Sequence, residues 1–325
     1  MAAFLFSRLL GAAVTLLFVS ALVFGLQELI PGDPARVLAG EDQDPSVIAY
    51  LHERLHLDRA LPVRYGYWLG ALAHGDLGVS VRSQEPVVRL IAEKLPVTFE
   101  LGLLAMAVAL LIGIPSGVLA ATLSGTRGGM SMITREARLL KTLVTSLALC
   151  GLSTPNFWLG ILMILVFSVH LGWFPASGYV SPLVDWHANL AAMAMPAFVL
   201  GNALAAVLMR HTASALVAAL DQDYVRTARA KGLAETRVVL VHAARNAAAP
   251  LITLGALELG GLLSGAVLTE QVFTIPGFGK LVVDAVFNRD FAVVEGVVLV
   301  TASTYVLLNL AADLAYFLVN PRLRA

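Results

Sequence analysis

Six predominantly apolar runs, near 9–30, 98–123, 142–169, 188–208, 250–273 and 292–319, punctuate the 325-residue chain. Each is close to the roughly 20 residues an α-helix needs to cross a bilayer. Together they predict an all-α integral membrane protein with six spans. The polar pieces between them are unequal. Residues 31–97 are too polar to cross lipid and too long for a turn. Within them, 48–57 and 63–73 have helical spacing, and Pro31-Gly32-Asp33-Pro34 and Gly75-Asp76-Leu77-Gly78-Val79-Ser80 mark turns. Tyr65, Tyr67 and Trp68 supply packing surface, so this piece reads as a small folded cap rather than a mobile connector. Trp68 also suits an anchor at the membrane surface. The expected division is 1–97, an anchor helix with its cap, and 98–325, five spans with a long polar loop at 209–249. The first run is too long for a signal-peptide core and no small-residue cleavage site follows it, so an uncleaved anchor is expected.

Composition agrees. Hydrophobic residues make up 58% of the chain, charged residues 14%, and mean hydropathy is +0.81, against roughly 45–50% and 25% in soluble domains. The formal net charge of zero points to no nucleic acid, but its distribution orients the spans. Arg8, four cations over 127–141, six over 210–245, and Arg322 with Arg324 fall on one side. Only Lys280 and Arg289 lie in the short loops of the other. By the positive-inside rule both termini and the 209–249 loop are cytoplasmic, and the cap is extracytoplasmic. The single cysteine, Cys150, forms no internal disulfide and is expected as a small buried hydrophobe. No Cys/His spacing suggests a metal site.

Polar groups inside spans are expensive and are functional candidates by default. Glu258 in the fifth span, with Asn156 and Asn202, are candidates for a translocation path, an interhelical hydrogen bond being the alternative. Asp313, in the sixth span, can reach the headgroups or pair with Arg322. Pro155 is expected to kink the third span. Gly255, Gly260, Gly261 and Gly265 give the fifth a small-residue face suited to close helix packing. Trp173, Pro175, Gly178, Tyr179, Pro182 and Trp186 in the 170–187 loop read as an interfacial belt or, more sharply, as a surface that receives substrate.

The segment Asp223-Tyr-Val-Arg-Thr-Ala-Arg-Ala-Lys-Gly-Leu233 is short, charged and alanine-rich between two spans. Read as one helix, Val225, Ala228 and Gly232 share a small face that would let a partner approach closely. Arg226 and Arg229 occupy another face. The segment resembles the cytoplasmic coupling loop of ABC-importer permeases, and more narrowly that of the dipeptide, oligopeptide and nickel permease family. The resemblance runs along the chain: Pro31-Gly32-Asp33-Pro34, Leu57-Asp58, Tyr65, Trp68-Leu69, Gly75-Asp76-Leu77-Gly78 with Ser80, Ser153 to Gly160, Leu171 to Gly178, Val272 to Leu281, and Arg289-Asp290-Phe291. Where the broad permease signature has Glu-Ala-Ala, this chain has Arg226-Thr227-Ala228. Gly232 is in place, position 242 is histidine, and no proline comes before Pro250.

The resemblance implies a type I ABC importer permease fold that is not itself an enzyme. It places Asp223, Tyr224, Arg226, Thr227, Ala228, Arg229, Lys231, Gly232 and Leu233 against an ATPase subunit. It also implies two ATPase subunits that use ATP and magnesium, a homologous second permease, and a substrate-binding protein. The chain has no G-x-x-x-x-G-K-[S/T] run to bind nucleotide itself. The implied cargo is a di- or oligopeptide, with nickel chelates and glutathione as alternatives. A stand-alone secondary transporter would want midplane carboxylates and an inverted repeat; only Glu258 qualifies, and no repeat is visible. An intramembrane enzyme would need a nucleophile–base pair or metal cluster at membrane depth, whereas His170, His187, His211 and His242 lie at span ends or beyond. A non-transporting scaffold leaves the 223–233 segment unexplained.

Overall fold

The computed structural model describes residues 2–27, 34–39, 44–54, 56–123 and 135–319. Helices follow in the order α1 (Ala2–Gln27), α2 (Pro34–Ala39), α3 (Pro45–Arg54), α4 (Leu61–Ala73), α5 (Val87–Thr122), α6 (Arg135–Ser153) and α7 (Asn156–Met163). The π-helical turn Ile164–His170 continues α7. Then come α8 (Trp186–Leu220), α9 (Asp223–Ala230), α10 (Glu235–Arg237) with its π-helical extension Val238–Ala243, α11 (Ala244–Val272), α12 (Phe278–Phe287) and α13 (Phe291–Val319). Among the described residues, four helices are long and apolar enough to cross a membrane, and the number is six if each of two bent pairs is one span. The first pair breaks at Pro155, which starts α7. The second breaks just before Pro250, whose missing N–H and ring disrupt the helical ladder.

The chain forms two compact units, one of residues 1–96 and 280–307, the other of 97–279 and 308–325. In the first, the cap is sewn onto the anchor. Ser20 Oγ and the Tyr65 hydroxyl share a 2.7 Å hydrogen bond. The Phe24 ring lies 5.5 Å from the rings of both Tyr65 and Trp68, and the Arg64 guanidinium sits over it. These contacts pack α4 against α1. The cap's turns are set by glycine: Gly75 and Gly78 have φ of +80° and +82°, and Asp76 accepts the Gly78 N–H at 2.8 Å. The chain then reverses through a Val79–Pro86 bridge. Ser80 donates a 2.5 Å hydrogen bond to Asp290, both nearly inaccessible. Two motifs 210 residues apart in sequence thus meet in one buried contact. Pro31-Gly32-Asp33, Arg322, Arg324 and the Asp313 side chain lie outside the described residues.

The second unit is built around α8, of which Leu200, Leu204 and Leu208 are buried with Leu101 and Ala105 of α5 and Phe273 and Ile275 beyond α11. Glycine makes that packing close. A Cβ on Gly113 would stand 2.7 Å from the Ala205 carbonyl oxygen, one on Gly117 2.5 Å from Thr212 Cβ, and one on Gly201 would collide with the Ala105 carbonyl oxygen. The expected glycine face of the fifth span packs less closely: Gly255 has nothing within 4 Å, and Gly261 meets only Glu258 Oε2 at 3.8 Å. In the last turn of α11, Glu270 is buried. It accepts a 2.5 Å bond from the Thr98 hydroxyl, which itself accepts the Phe278 N–H at 2.8 Å. Gly277 is glycine because any side chain there would enter the Glu270 carboxylate. Tyr179 donates to Glu100 at 2.8 Å, and the Gly178 N–H reaches the Phe273 carbonyl at 2.9 Å.

Two expectations change. Cys150 is exposed on α6 rather than buried; a helix face directed at lipid is apolar, so hydrophobicity alone did not place it inside the chain. The helices also outrun the apolar runs, with α5 starting at Val87 and α8 ending at Leu220. At 1.5 Å per residue the 36 residues of α5 extend about 54 Å, well beyond a hydrocarbon core of about 30 Å.

Candidate functional site

Because α8 and the α10–α11 pair extend toward each other, little of the 209–249 stretch remains as loop. What remains is α9 and its flanking turns, residues 221–234. Val225 and Ala228 are both buried. They pack with Leu216 and Leu220 of α8 and with Val238, Val239, Ala243 and Ala247 leading into α11. The small face therefore points into the chain's own core, opposite to the expectation that it meets a partner. Three apolar side chains at i, i+3 and i+8, Val225, Ala228 and Leu233, foot the segment on the chain's own core.

Gly232 is not on that face at all. The helix ends at Ala230, and Gly232 has φ +74°. Its N–H bonds the Arg229 carbonyl at 2.9 Å, and the Leu233 N–H bonds the Ala228 carbonyl at 3.4 Å. This is the Schellman arrangement, in which glycine stops the helix because an L side chain is strained there. Leu233 then packs on the same apolar core. A Cβ at Gly232 would have nothing within 4 Å, so the glycine serves backbone conformation rather than space within this chain. The signal was present in sequence as Lys231-Gly232-Leu233, a helix stop followed by a hydrophobe.

The outward face carries Asp223, Tyr224, Arg226, Thr227 and Lys231. Arg226 reaches back to Asp223, 3.3 Å away, with both side chains largely exposed. Thr227 back-bonds to the Asp223 carbonyl at 3.1 Å. Arg229 faces differently and forks onto Glu235, with Nε to Oε2 at 3.1 Å and Nη2 to Oε1 at 2.6 Å. That hydrogen bond holds the Glu235 carboxyl below the usual carboxylate range and raises the arginine. Glu235 lay outside the sequence-derived set; its position six residues past Arg229 fits no single-helix spacing. Beside Tyr224, an open groove of about 400 Å³ runs between α8 and α11, lined by Ala215, Ala218, Gln222, Asn246 and Pro250 among others.

The path candidates lie on three helices, Asn156 on α7, Asn202 on α8 and Glu258 on α11. Asn202 donates to the Gly151 carbonyl at 3.2 Å, tying α8 to α6. Asn156 is half-buried at the start of α7, and Glu258 is half-buried on α11. A second cavity of about 540 Å³ is lined by α5, α8 and α11. Its walls are Leu103, Met106, Leu110, Leu251, Ile252 and other apolar groups, with Thr212 as the polar residue among them. Glu258 is not among those walls, although Gly255 and Leu259 are. Among the described residues no group of three His, Cys, Asp or Glu side chains could hold a metal ion.

Comparison with known proteins covers the full chain. Residues 113–325 match the family model described as binding-protein-dependent transport system inner membrane component. Residues 1–102 match that of the corresponding N-terminal region. A putative peptide transport system permease protein of Brucella abortus (strain 2308) is 40% identical over 324 residues, covering 100% of this chain and 99% of the relative. The dipeptide transport system permease protein of Escherichia coli (strain K12) is 39% identical over 342 residues, covering 98% and 97%. The di/tripeptide transport system permease protein of Pseudomonas aeruginosa (strain UCBPP-PA14) is 40% identical over 340 residues, covering 98% of each. Among solved structures, the inward-facing MetNI methionine ABC transporter matches with a TM-score of 0.57 and 20% identity, over 71% of this chain and 96% of that one. That likeness carries the type I permease fold.

Proposed function

Since the chain belongs to the family of binding-protein-dependent transport system inner membrane components, we propose that it is the membrane subunit of an ATP-driven importer of di- or oligopeptides. In this reading α9 is the surface on which a separate ATPase docks. The observation that carries it is α9 itself, a short charged helix footed on the ends of two long spans and otherwise exposed. A helix of eight residues has little stability of its own, so its order comes from its foot. A partner that grips the exposed face therefore moves the ends of α8 and α11 together.

The complete machine in this reading has two ATPase subunits, a homologous second permease and a substrate-binding protein. Both termini and α9 lie in the cytoplasm, the cap lies outside, and the membrane is the inner membrane. ATP and magnesium are used by the ATPases; this chain binds neither and is non-catalytic. Closure of the ATPase pair on ATP favours one state of the spans over the other, and substrate crosses by alternating access. Peptide as cargo is supported by the named relatives at about 40% identity over the whole chain. Asp223, Tyr224, Arg226, Thr227 and Lys231 form the docking face in this reading, with Ala228, Gly232 and Leu233 shaping it. Glu258, Asn156 and Asn202 remain the path candidates, with Asn202 also serving α6–α8 packing.

The test is purification of the tagged chain from membranes, followed by reconstitution with the proteins that accompany it and measurement of labelled dialanine uptake. Recovery of a paralogous permease and ATPases, with uptake that needs both ATP and a binding protein, supports the proposal. Uptake by the chain alone without ATP replaces it with a secondary transporter. ATP-driven uptake of a nickel chelate or glutathione but not of dialanine retains the machine and changes its cargo.

A further inference from the structure

Arg226 and Arg229 lie three residues apart on one short helix, and spacing alone assigns them one role. The structure separates them. Arg226 is 76% exposed and pairs with Asp223 on its own helix. Arg229 is 25% exposed and makes both arms of a fork to Glu235. Glu235 opens α10, beyond the glycine turn, and α10 runs without a break through its π-helical extension into α11. The apolar foot of α9 consists of Val225, Ala228 and Leu233. Contacts of that kind resist lifting of a short helix but are non-directional, so they resist rotation about its axis poorly. A planar two-point fork is directional, and this one lies at the end of α9 that leads to α11.

We propose that the Arg229–Glu235 fork is a positioning clasp that fixes the rotation of α9 to the head of α11, leaving Arg226 as the arginine offered outward. Movement imposed on α9 is then passed to α11 instead of being lost in the 231–234 turn. Arg229 is a positioning residue in this scheme, not a partner contact. The inference rests on the reading of α9 as the ATPase-docking element.

Charge reversal in the assembled transporter tests it. Arg229→Glu and Glu235→Arg singly should keep the ATPase subunits bound and lower peptide uptake per ATP hydrolysed by about fivefold or more. The double exchange should recover most of that loss. A second readout does not depend on transport. A nitroxide on Thr227→Cys, in a Cys150→Ala background, should gain mobility in each single variant and return toward the parent in the double. The proposal is overturned if Arg229→Glu sheds the ATPases while Glu235→Arg does not and the double fails to restore them, because Arg229 then contacts the partner. It is equally overturned if neither single variant alters coupling or nitroxide mobility. Failure of the premise has a separate signature: Tyr224→Glu combined with Arg226→Glu would leave ATPase recovery at the parent level.

Discussion

Replacing Thr98 by valine keeps the volume and branching of the side chain and removes only a hydroxyl that serves two partners. That hydroxyl donates to the buried Glu270 carboxylate and accepts the Phe278 N–H. Valine takes one donor from the carboxylate and leaves a buried backbone N–H without its acceptor. A lost hydrogen bond to a charged group is worth about 1.5–3 kcal/mol, and an orphaned buried donor about 1–3 kcal/mol. Partial relaxation of the 273–279 loop lowers the sum, so about 2–5 kcal/mol is expected. At roughly 2–4 °C per kcal/mol, the purified transporter should melt about 4–20 °C lower when followed by intrinsic fluorescence. Thr98→Ser retains both hydrogen bonds and should lose less than about 1 kcal/mol. In a double-mutant cycle with Glu270→Gln, the two changes should be non-additive by about 1 kcal/mol or more. The reasoning is refuted if Thr98→Val melts with the parent, or if Thr98→Ser falls as far as Thr98→Val.

Gly201→Val pushes a side chain into the Ala105 carbonyl and should abolish monodisperse protein in size-exclusion chromatography, whereas Gly255→Val, with open space around its Cβ, should run as the parent does. Gly232→Ala forces a Cβ onto a φ of +74°, a strain of about 1–2 kcal/mol, and should appear as faster amide exchange confined to α9 and its turn. Tyr179 has its hydroxyl pushed up to about 12, first by burial and then by its bond to Glu100. Its contribution to stability is therefore fully present below the ordinary tyrosine value of 10 and is lost as pH rises toward 12, so melting scans from pH 9 upward should fall more steeply in the parent than in Tyr179→Phe.

The apolar runs located the spans because lipid demands unbroken hydrophobicity over a fixed thickness, but they could not locate helix ends. Leu216 and Leu220 of α8, and Val238 and Val239 ahead of α11, lie beyond the runs yet are buried against one another and against α9. That burial is a tertiary event which hydropathy along the chain does not report. The cap was legible in outline: windows 48–57 and 63–73 became α3 and α4. The pairing of Ser80 with Asp290 was not, although both motifs stand out in the sequence. Nothing in a linear pattern states that two turns 210 residues apart share a hydrogen bond. The close-packing glycines followed the same rule. Gly255 and its neighbours form a visible cluster, while Gly113, Gly117 and Gly201 are scattered and reveal their purpose only against the opposing backbone.

At α9 the small face points opposite to the direction expected of it. Periodicity identifies which residues share a face but not which face is inside, and alanine and valine suit a partner's groove as well as the chain's own core. The deciding information was the apolar surface on either side. Once α8 and the π-helical lead-in to α11 carry their hydrophobic faces past the spans to residues 220 and 238, that surface needs cover, and the apolar side chains of the connecting segment that pack there are Val225, Ala228 and Leu233. Covering it turns the polar side of α9 outward and swings Arg229 toward Glu235. Orientation of α9, the glycine stop and the arginine fork thus follow from one requirement. A single substitution that makes Val225 polar should disturb all three together, exposing the core and loosening the Arg229–Glu235 contact. Val225→Asn, which buries an unpartnered amide at a position with no accessible surface, should destabilise the segment by about 2–4 kcal/mol. Exchange protection should then fall across 223–235 as a unit; if it falls at Val225 alone, the three features are independent and this account of their common origin fails.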